Sequence, residues 1–351
     1  MSQQPTTPGR GYAYNVPGRF DATETVAVTE FEEPAADTIF HEETARNIVT
    51  GNRSPDVPFD WSINSYRGCE HGCVYCYARP SHSYLDLSPA HDFESQIFYK
   101  PNGAELLLKY LGRPGYRCQP ITLGANTDPY QPAEKRFELT RALLDVFVDC
   151  RHPVSIVTKG ILIERDLDRL ADLAKRNLIS VAVSLPTLDR ALKRTLEPRV
   201  ASGERRLKTI ARLTDAGVPV TVLVAPIIPA VTDAELESIV TAAANHGAID
   251  ARYVLLRLPH ELESLFRDWL DTHLPLRADH VMSLMNELGG GRAYDARFGA
   301  RQSGQGVFAA LLRRRFERIR RKLGLNGDVQ ALSTREFRPP AAGGAQRHLP
   351  F

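Results

Sequence analysis

Between residues 61 and 256, short apolar runs alternate with amphipathic stretches. The runs at 121–124, 154–158, 179–185, 218–224 and 252–256 are rich in Val, Ile and Leu, the run at 61–66 is bounded by Trp61 and Tyr66, and all have the length of buried strands. The stretches between them carry apolar residues at helical spacing. Leu139, Leu143, Val146 and Cys150 mark one buried face, and Leu167, Leu170, Ala171 and Ala174 mark another. Leu207, Ile210 and Leu213 repeat the pattern, as do Leu236, Ile239, Val240 and Ala243. Strand and helix in alternation predict parallel βα units. Six of them fit an α/β fold of the partial (β/α)6, TIM-like barrel type. A doubly wound open sheet is the alternative.

The flanks lack this rhythm. Residues 1–45 are rich in Pro, Gly, Thr, Glu and Asp without a sustained period, which predicts a largely disordered or loosely docked arm. Residues 46–60 read as a lead-in, irregular around Asn52 to Pro58. The barrel domain is expected over 46–258. Residues 259–351 form a helical C-terminal extension with a Gly289-Gly290-Gly291 break, a basic helix at 311–323 and a flexible tail. This extension is expected to close the open side of the barrel.

Composition narrows the class. The chain has 351 residues, a net charge of +2 and 25% charged residues, so any nucleic-acid or membrane affinity must be local. No apolar run is long enough to span a bilayer, and the N-terminus lacks signal-peptide features. Of five cysteines, three are clustered, which is no disulfide framework. Free thiols suit a reducing cytoplasmic location.

The cluster is Cys69-Glu-His-Gly-Cys73-Val-Tyr-Cys76, directly after the first predicted strand. Thiolates this close in sequence can converge on a soft metal or an iron–sulfur cluster. Structural zinc takes four ligands, so His71 or His82 would have to complete a zinc site. An iron–sulfur cubane held by three thiolates instead leaves one iron open to a small molecule. Gly68 and Gly72 allow the loop to fold closely around such a group. The ends of the other predicted strands carry Asn126-Thr127-Asp128, Lys159, Ser184, Ala225-Pro226 and Arg257. In a parallel barrel that end holds the chemistry. Asp128 has a structural reading too, as a cap for the following helix.

The cysteine spacing, with an aromatic Tyr75 before the last thiol, resembles the signature of the radical S-adenosylmethionine (SAM) superfamily. Residues 62–258 are similar to its spore photoproduct lyase and DNA repair photolyase-like branch. The resemblance implies a [4Fe–4S] cluster on Cys69, Cys73 and Cys76, with SAM chelating the open iron. It implies SAM contacts from Thr127, Asp128, Lys159 and Ser184, adenine packing on Tyr75, and a reductant such as flavodoxin or ferredoxin. SAM would be cleaved to a 5′-deoxyadenosyl radical that abstracts hydrogen from substrate. Arg199, in Glu197-Pro198-Arg199, would reach a carboxylate or ribose, or brace Glu197. One departure matters. The lyases carry a hydrogen-returning cysteine at the end of the second strand, where this chain reads Gly124-Ala125-Asn126. Cys118 lies before that strand, and Cys150 is on an apolar helix face.

The substrate is less legible. Arg313, Arg314, Arg315, Arg318, Arg320, Arg321 and Lys322 crowd the last helix beside a single acid, Glu317. That face, with Arg292, Arg297 and Arg301, is expected to suit the phosphate backbone of DNA or RNA. Radical modification of a peptide or small molecule, and a non-catalytic metal module, are the rival readings. The tail Gln346-Arg347-His348-Leu349-Pro350-Phe351 resembles peptides that dock bacterial sliding clamps.

Overall fold

In the computed structural model, residues 9–12, 14–16, 18–19, 38–299, 301–325 and 330–340 are described. Ten strands are present among them: β1 (Ile39–Glu42), β2 (Val49–Gly51), β3 (Trp61–Ile63), β4 (Tyr66–Arg67), β5 (Gln96–Tyr99), β6 (Ile121–Leu123), β7 (Val154–Thr158), β8 (Ile179–Ser184), β9 (Val220–Ile227) and β10 (Asp250–Leu255). The main sheet has the order β10-β9-β8-β7-β6-β3-β2. Its six neighbouring strands from β3 to β10 are parallel and follow chain order, and they coincide with the six expected runs. The sheet is α/β and barrel-like but open. β10 forms one edge, and antiparallel β2 covers β3 at the other.

In β7, β8 and β9 fully buried residues alternate with half-buried ones, so one face of the sheet is sealed and the other lines the half-open interior. Val154, Ile156, Ile179, Val181, Val220 and Val222 are all almost inaccessible. The intervening helices Leu139–Asp149, Leu167–Ala174, Gly203–Asp215 and Leu236–Asn245 present the expected apolar residues to the sheet. Asp189 caps Arg190–Leu196 through the Ala191 and Leu192 amides, and Ser202 caps Gly203–Asp215 through Arg205.

The first strand is shorter than the sequence pattern predicts. At Asn64 the chain leaves the main sheet, and β4 pairs instead with β5, which also pairs with β1. This second, three-stranded sheet is invisible in the apolar periodicity because its strands are two to four residues long. The break has a cause. The Asn64 side-chain oxygen accepts the amides of Asn126 (2.8 Å) and Thr127 (3.3 Å), so β3 ends by bonding to the loop after β6.

The open side of the sheet is bridged by Gly299, Arg301 and Gln302. The Leu255 amide donates to Gln302 O at 3.0 Å, on the β10 edge. The Gly299 amide and the Arg301 guanidinium bond to Asp56, in the loop before β3. The helices Leu262–His273, Ala278–Leu288 and Gly306–Lys322 complete the extension. Among the described residues, no helix is long and apolar enough to cross a membrane.

Gly306–Lys322 runs antiparallel to β10. Gly304, just before it, packs on Leu255, whereas Arg320 near its end pairs with Asp250 at 2.8 Å. Phe316 is buried and meets Tyr253 edge-to-face at 4.7 Å, while Leu311 is 54% exposed. Phe316→Ala should therefore lower unfolding stability by about 3 kcal/mol or more. Leu311→Ala should change it by no more than about 0.5 kcal/mol. Urea denaturation of the two variants tests this; equal losses would contradict the packing.

Candidate active site: a three-thiol loop at the mouth of the sheet

The loop carrying Cys69, Cys73 and Cys76 lies at the C-terminal ends of the parallel strands. Cys69 and Cys73 are buried and Cys76 is half-buried. Gly68 and Gly72 both adopt positive φ, of 79° and 67°. A Cβ at Gly68 would sit 2.9 Å from Gln96 O, and one at Gly72 would sit 2.7 Å from Glu94 Oε2. Only glycine combines that backbone with that closeness. Gln131 braces the loop twice, accepting the Glu70 amide (3.0 Å) and donating to Gly68 O (3.2 Å).

Burial pushes the thiols of Cys73 and Cys76 up, and the nearby Lys159 ammonium pulls both the other way. These thiols are grouped without forming a tight cage. Among the described residues no three His, Cys, Asp or Glu side chains converge to hold a single ion. Cys118 and Cys150 are at the far end of the sheet, beside Tyr116. His82 is buried with Nε2 on Gln96 O at 3.0 Å, and burial lowers its pKa to about 4.

The five other expected site residues all gather at this mouth, with different engagements. Asp128 Oδ1 accepts the Tyr130 amide (2.9 Å) and the Thr158 hydroxyl (2.6 Å). Its Oδ2 accepts the Lys159 amide at 2.7 Å. His71 Nδ1 lies 3.4 Å from Oδ2, an ion-pair distance without hydrogen-bond alignment. Burial alone would raise the Asp128 pKa, but His71 and these donors lower it to about 2. Conversely, burial opposes the charge on His71, while Asp128 and Cys69 outweigh it and raise its pKa to about 10.

Thr127 is buried, its hydroxyl donating to Tyr66 O at 2.9 Å. Ser184 donates to Ala225 O at 3.0 Å. Tyr75 is buried, and its hydroxyl donates to Glu197, which also pairs with Arg206. Lys159 holds its ammonium 5.9 Å from the Tyr75 ring centroid. Burial disfavours that charge, yet Cys73, Glu197 and Asp128 outweigh it and hold the pKa above the usual lysine value. Arg199 does not brace Glu197. It pairs with Glu70 at 3.1 Å, because its own amide is fixed to His71 O and the chain is thereby turned toward the cluster loop.

Several pairings at the mouth were not legible in advance. Arg206 holds Glu197 from an adjoining helix. Arg257 stacks over Tyr77 at 4.4 Å, and Tyr77 is 43% exposed beside Cys76. Glu197 and Arg206 are nine residues apart, a spacing that matches no helical or strand period, and Arg257 lies far along the chain from Tyr77, so neither pairing has a local signal.

The mouth of the parallel sheet thus gathers three thiols, a lysine and a buried carboxylate. The chain belongs to the radical SAM superfamily, whose sequence profile matches residues 63–243. Enzymes of this superfamily use a [4Fe–4S] cluster and SAM, together with a reductant and a substrate. An uncharacterized protein of Mycobacterium tuberculosis is 38% identical over 236 residues, covering 66% of this chain and 69% of the relative. One from Methanocaldococcus jannaschii is 31% identical over 173 residues, covering 49% and 62%. A spore photoproduct lyase mutant with bound AdoMet and dinucleoside spore photoproduct superposes with a TM-score of 0.59 at 16% identity, over 81% of this chain and 79% of that one. A second mutant of that lyase gives 0.59 over 82% and 80% at 15% identity. Those likenesses show a common fold.

The Asp128 carboxylate is depressed, so its contribution to stability is present above the ordinary carboxylate value of 3.8 and lost as pH falls toward about 2. Acid unfolding of wild type should steepen between about pH 5 and 2. Asp128→Asn should flatten that limb and cost about 2 kcal/mol at neutral pH. Identical acid limbs for the two proteins would contradict the arrangement.

Proposed function

We propose that this chain is a radical SAM enzyme in which Cys69, Cys73 and Cys76 hold the [4Fe–4S] cluster. The observation that supports it most is the meeting of three thiols and Lys159 at the mouth of the six-stranded parallel sheet. The donor set fits: three soft ligands on one glycine-bent loop, and no fourth cysteine at this end. When bound, the cluster and SAM supply reductive formation of a 5′-deoxyadenosyl radical, which abstracts hydrogen from the substrate.

The residues of the chain then have separable roles. The Lys159 ammonium suits the SAM carboxylate. Thr127 and Ser184 each donate their one hydroxyl proton to a carbonyl and keep acceptor lone pairs for the SAM ammonium. Asp128 supplies negative charge there and fixes the Lys159 backbone. Tyr75 is buried with its hydroxyl on Glu197, so its ring edge and face are what remain for adenine.

For substrate we propose nucleic acid. Arg314, Arg318, Arg321 and Lys322 are exposed on Gly306–Lys322, which spans about 25 Å down the flank from the mouth. Arg315 and Arg320 are already paired with Glu237 and Asp250, and Arg297 and Arg301 with Asp295 and Asp56, so the basic surface is smaller than the sequence count. The spore photoproduct lyase that shares this fold holds a dinucleoside spore photoproduct. Its thiol-based hydrogen return has no equivalent at Gly124-Ala125-Asn126 here, so the reaction differs from thymine-dimer reversal. The clamp-like tail at 346–351 lies outside the described residues.

Anaerobic, iron- and sulfide-reconstituted protein with dithionite and SAM should release 5′-deoxyadenosine, and Cys76→Ala should release none. Lys159→Ala should raise KM for SAM more than it lowers kcat. A chain that binds four irons and never cleaves SAM, with or without nucleic acid, would favour the non-catalytic reading. DNA or RNA affinity should fall with salt, and Arg314→Glu with Arg318→Glu should reduce the log–log slope by about 2. Salt-independent binding, or none, would favour a peptide or small-molecule substrate.

A further inference from the structure

Beside the thiol loop lie two charges that the chemistry above does not use. Arg79 and Glu94 are both inaccessible to solvent and pair at 2.5 Å. Burying two ions is costly unless their remaining donors and acceptors are filled. Here they are filled, and by informative partners. Arg79 Nε donates to Cys73 O at 2.8 Å, and its Nη1 donates to Ala90 O at 2.7 Å. Glu94 accepts two amides from the far N-terminal segment: Gly11 N–H on Oε2 at 2.8 Å and Tyr12 N–H on Oε1 at 3.2 Å. Tyr12 is buried, lies 4.6 Å beneath the Arg79 guanidinium, and donates its hydroxyl to Val74 O at 2.9 Å. Two consecutive carbonyls of the cysteine loop are thus held, Cys73 O by Arg79 and Val74 O by Tyr12 from outside the barrel.

We infer that Gly11 and Tyr12, acting through Arg79 and Glu94, are positioning residues of the cluster loop and set how firmly its three thiols retain iron. This rests on the assignment of Cys69, Cys73 and Cys76 as cluster ligands. The segment fits too closely to be a chance neighbour. A Cβ on Gly11 would collide with the Gly72 carbonyl oxygen and lie 2.7 Å from Glu94 Oε1. Further along, Tyr14 donates to Asp268 at 2.7 Å and the Arg19 amide donates to Glu261 at 3.0 Å, both on the C-terminal extension. The N-terminal segment therefore runs from the cluster loop to the helices that follow the barrel.

The test uses the full chain with Tyr12→Phe, which removes one hydrogen bond, and Gly11→Ala, which displaces the segment. Amide hydrogen exchange over residues 69–79 is measured on metal-free protein, and transfer of iron to a ferrous chelator on reconstituted protein. Tyr12→Phe should speed iron release about fivefold and Gly11→Ala about tenfold or more, with loop exchange rising in the same order. The thermal midpoint of metal-free Tyr12→Phe should stay near wild type. Unchanged loop exchange in Gly11→Ala overturns the inference, as does faster exchange with an unchanged iron-release rate. Wild type that takes up no iron overturns the ligand assignment instead, and the exchange measurement still decides whether the segment positions the loop.

Discussion

The carboxylate of Asp128 is where three parts of the mouth are fastened to one another. It accepts from the loop after β6 through Tyr130, from the end of β7 through Thr158 and the Lys159 amide, and it faces His71 on the cysteine loop. A buried carboxylate is tolerable only with such a set of donors. Because it holds the Lys159 backbone, it also decides where the lysine side chain starts, and so why the ammonium lies over Tyr75 and beside Cys73.

The same economy runs through the rest of the site. Nearly every polar side chain there also closes a structural bond: Thr127 to Tyr66, Ser184 to Ala225, Tyr75 to Glu197, Gln131 to both Gly68 and Glu70. Groups fixed in this way need no reordering when a ligand arrives, which is what preorganised electrostatics requires. The exposed exceptions, Tyr77 under Arg257, sit at the rim, where a substrate would first meet the protein.

Much of this was legible in the sequence. The six parallel strands followed from short runs rich in Val, Ile and Leu, whose alternate residues form the sealed face of the sheet. The cysteine loop followed from spacing. What escaped was set by distant partners. β4 leaves the main sheet because Asn64 finds amides more than sixty residues later, and Tyr12 belongs to the cluster loop although it lies in a segment that composition marks as irregular. Arg199 pairs with Glu70 and Arg206 with Glu197, a choice no local pattern encodes. The basic helix was visible by periodicity, but which of its charges are already paired was not.

The proposed chemistry needs an iron left open by three thiolates and reached by SAM. Electron paramagnetic resonance of the reduced, reconstituted protein, with SAM labelled in its amino nitrogen and carboxylate oxygen, tests that directly. Addition of SAM should shift the cluster's g-values, and the labels should show hyperfine coupling to it. An unchanged spectrum with no coupling, or one zinc per chain in place of a cluster, would contradict it.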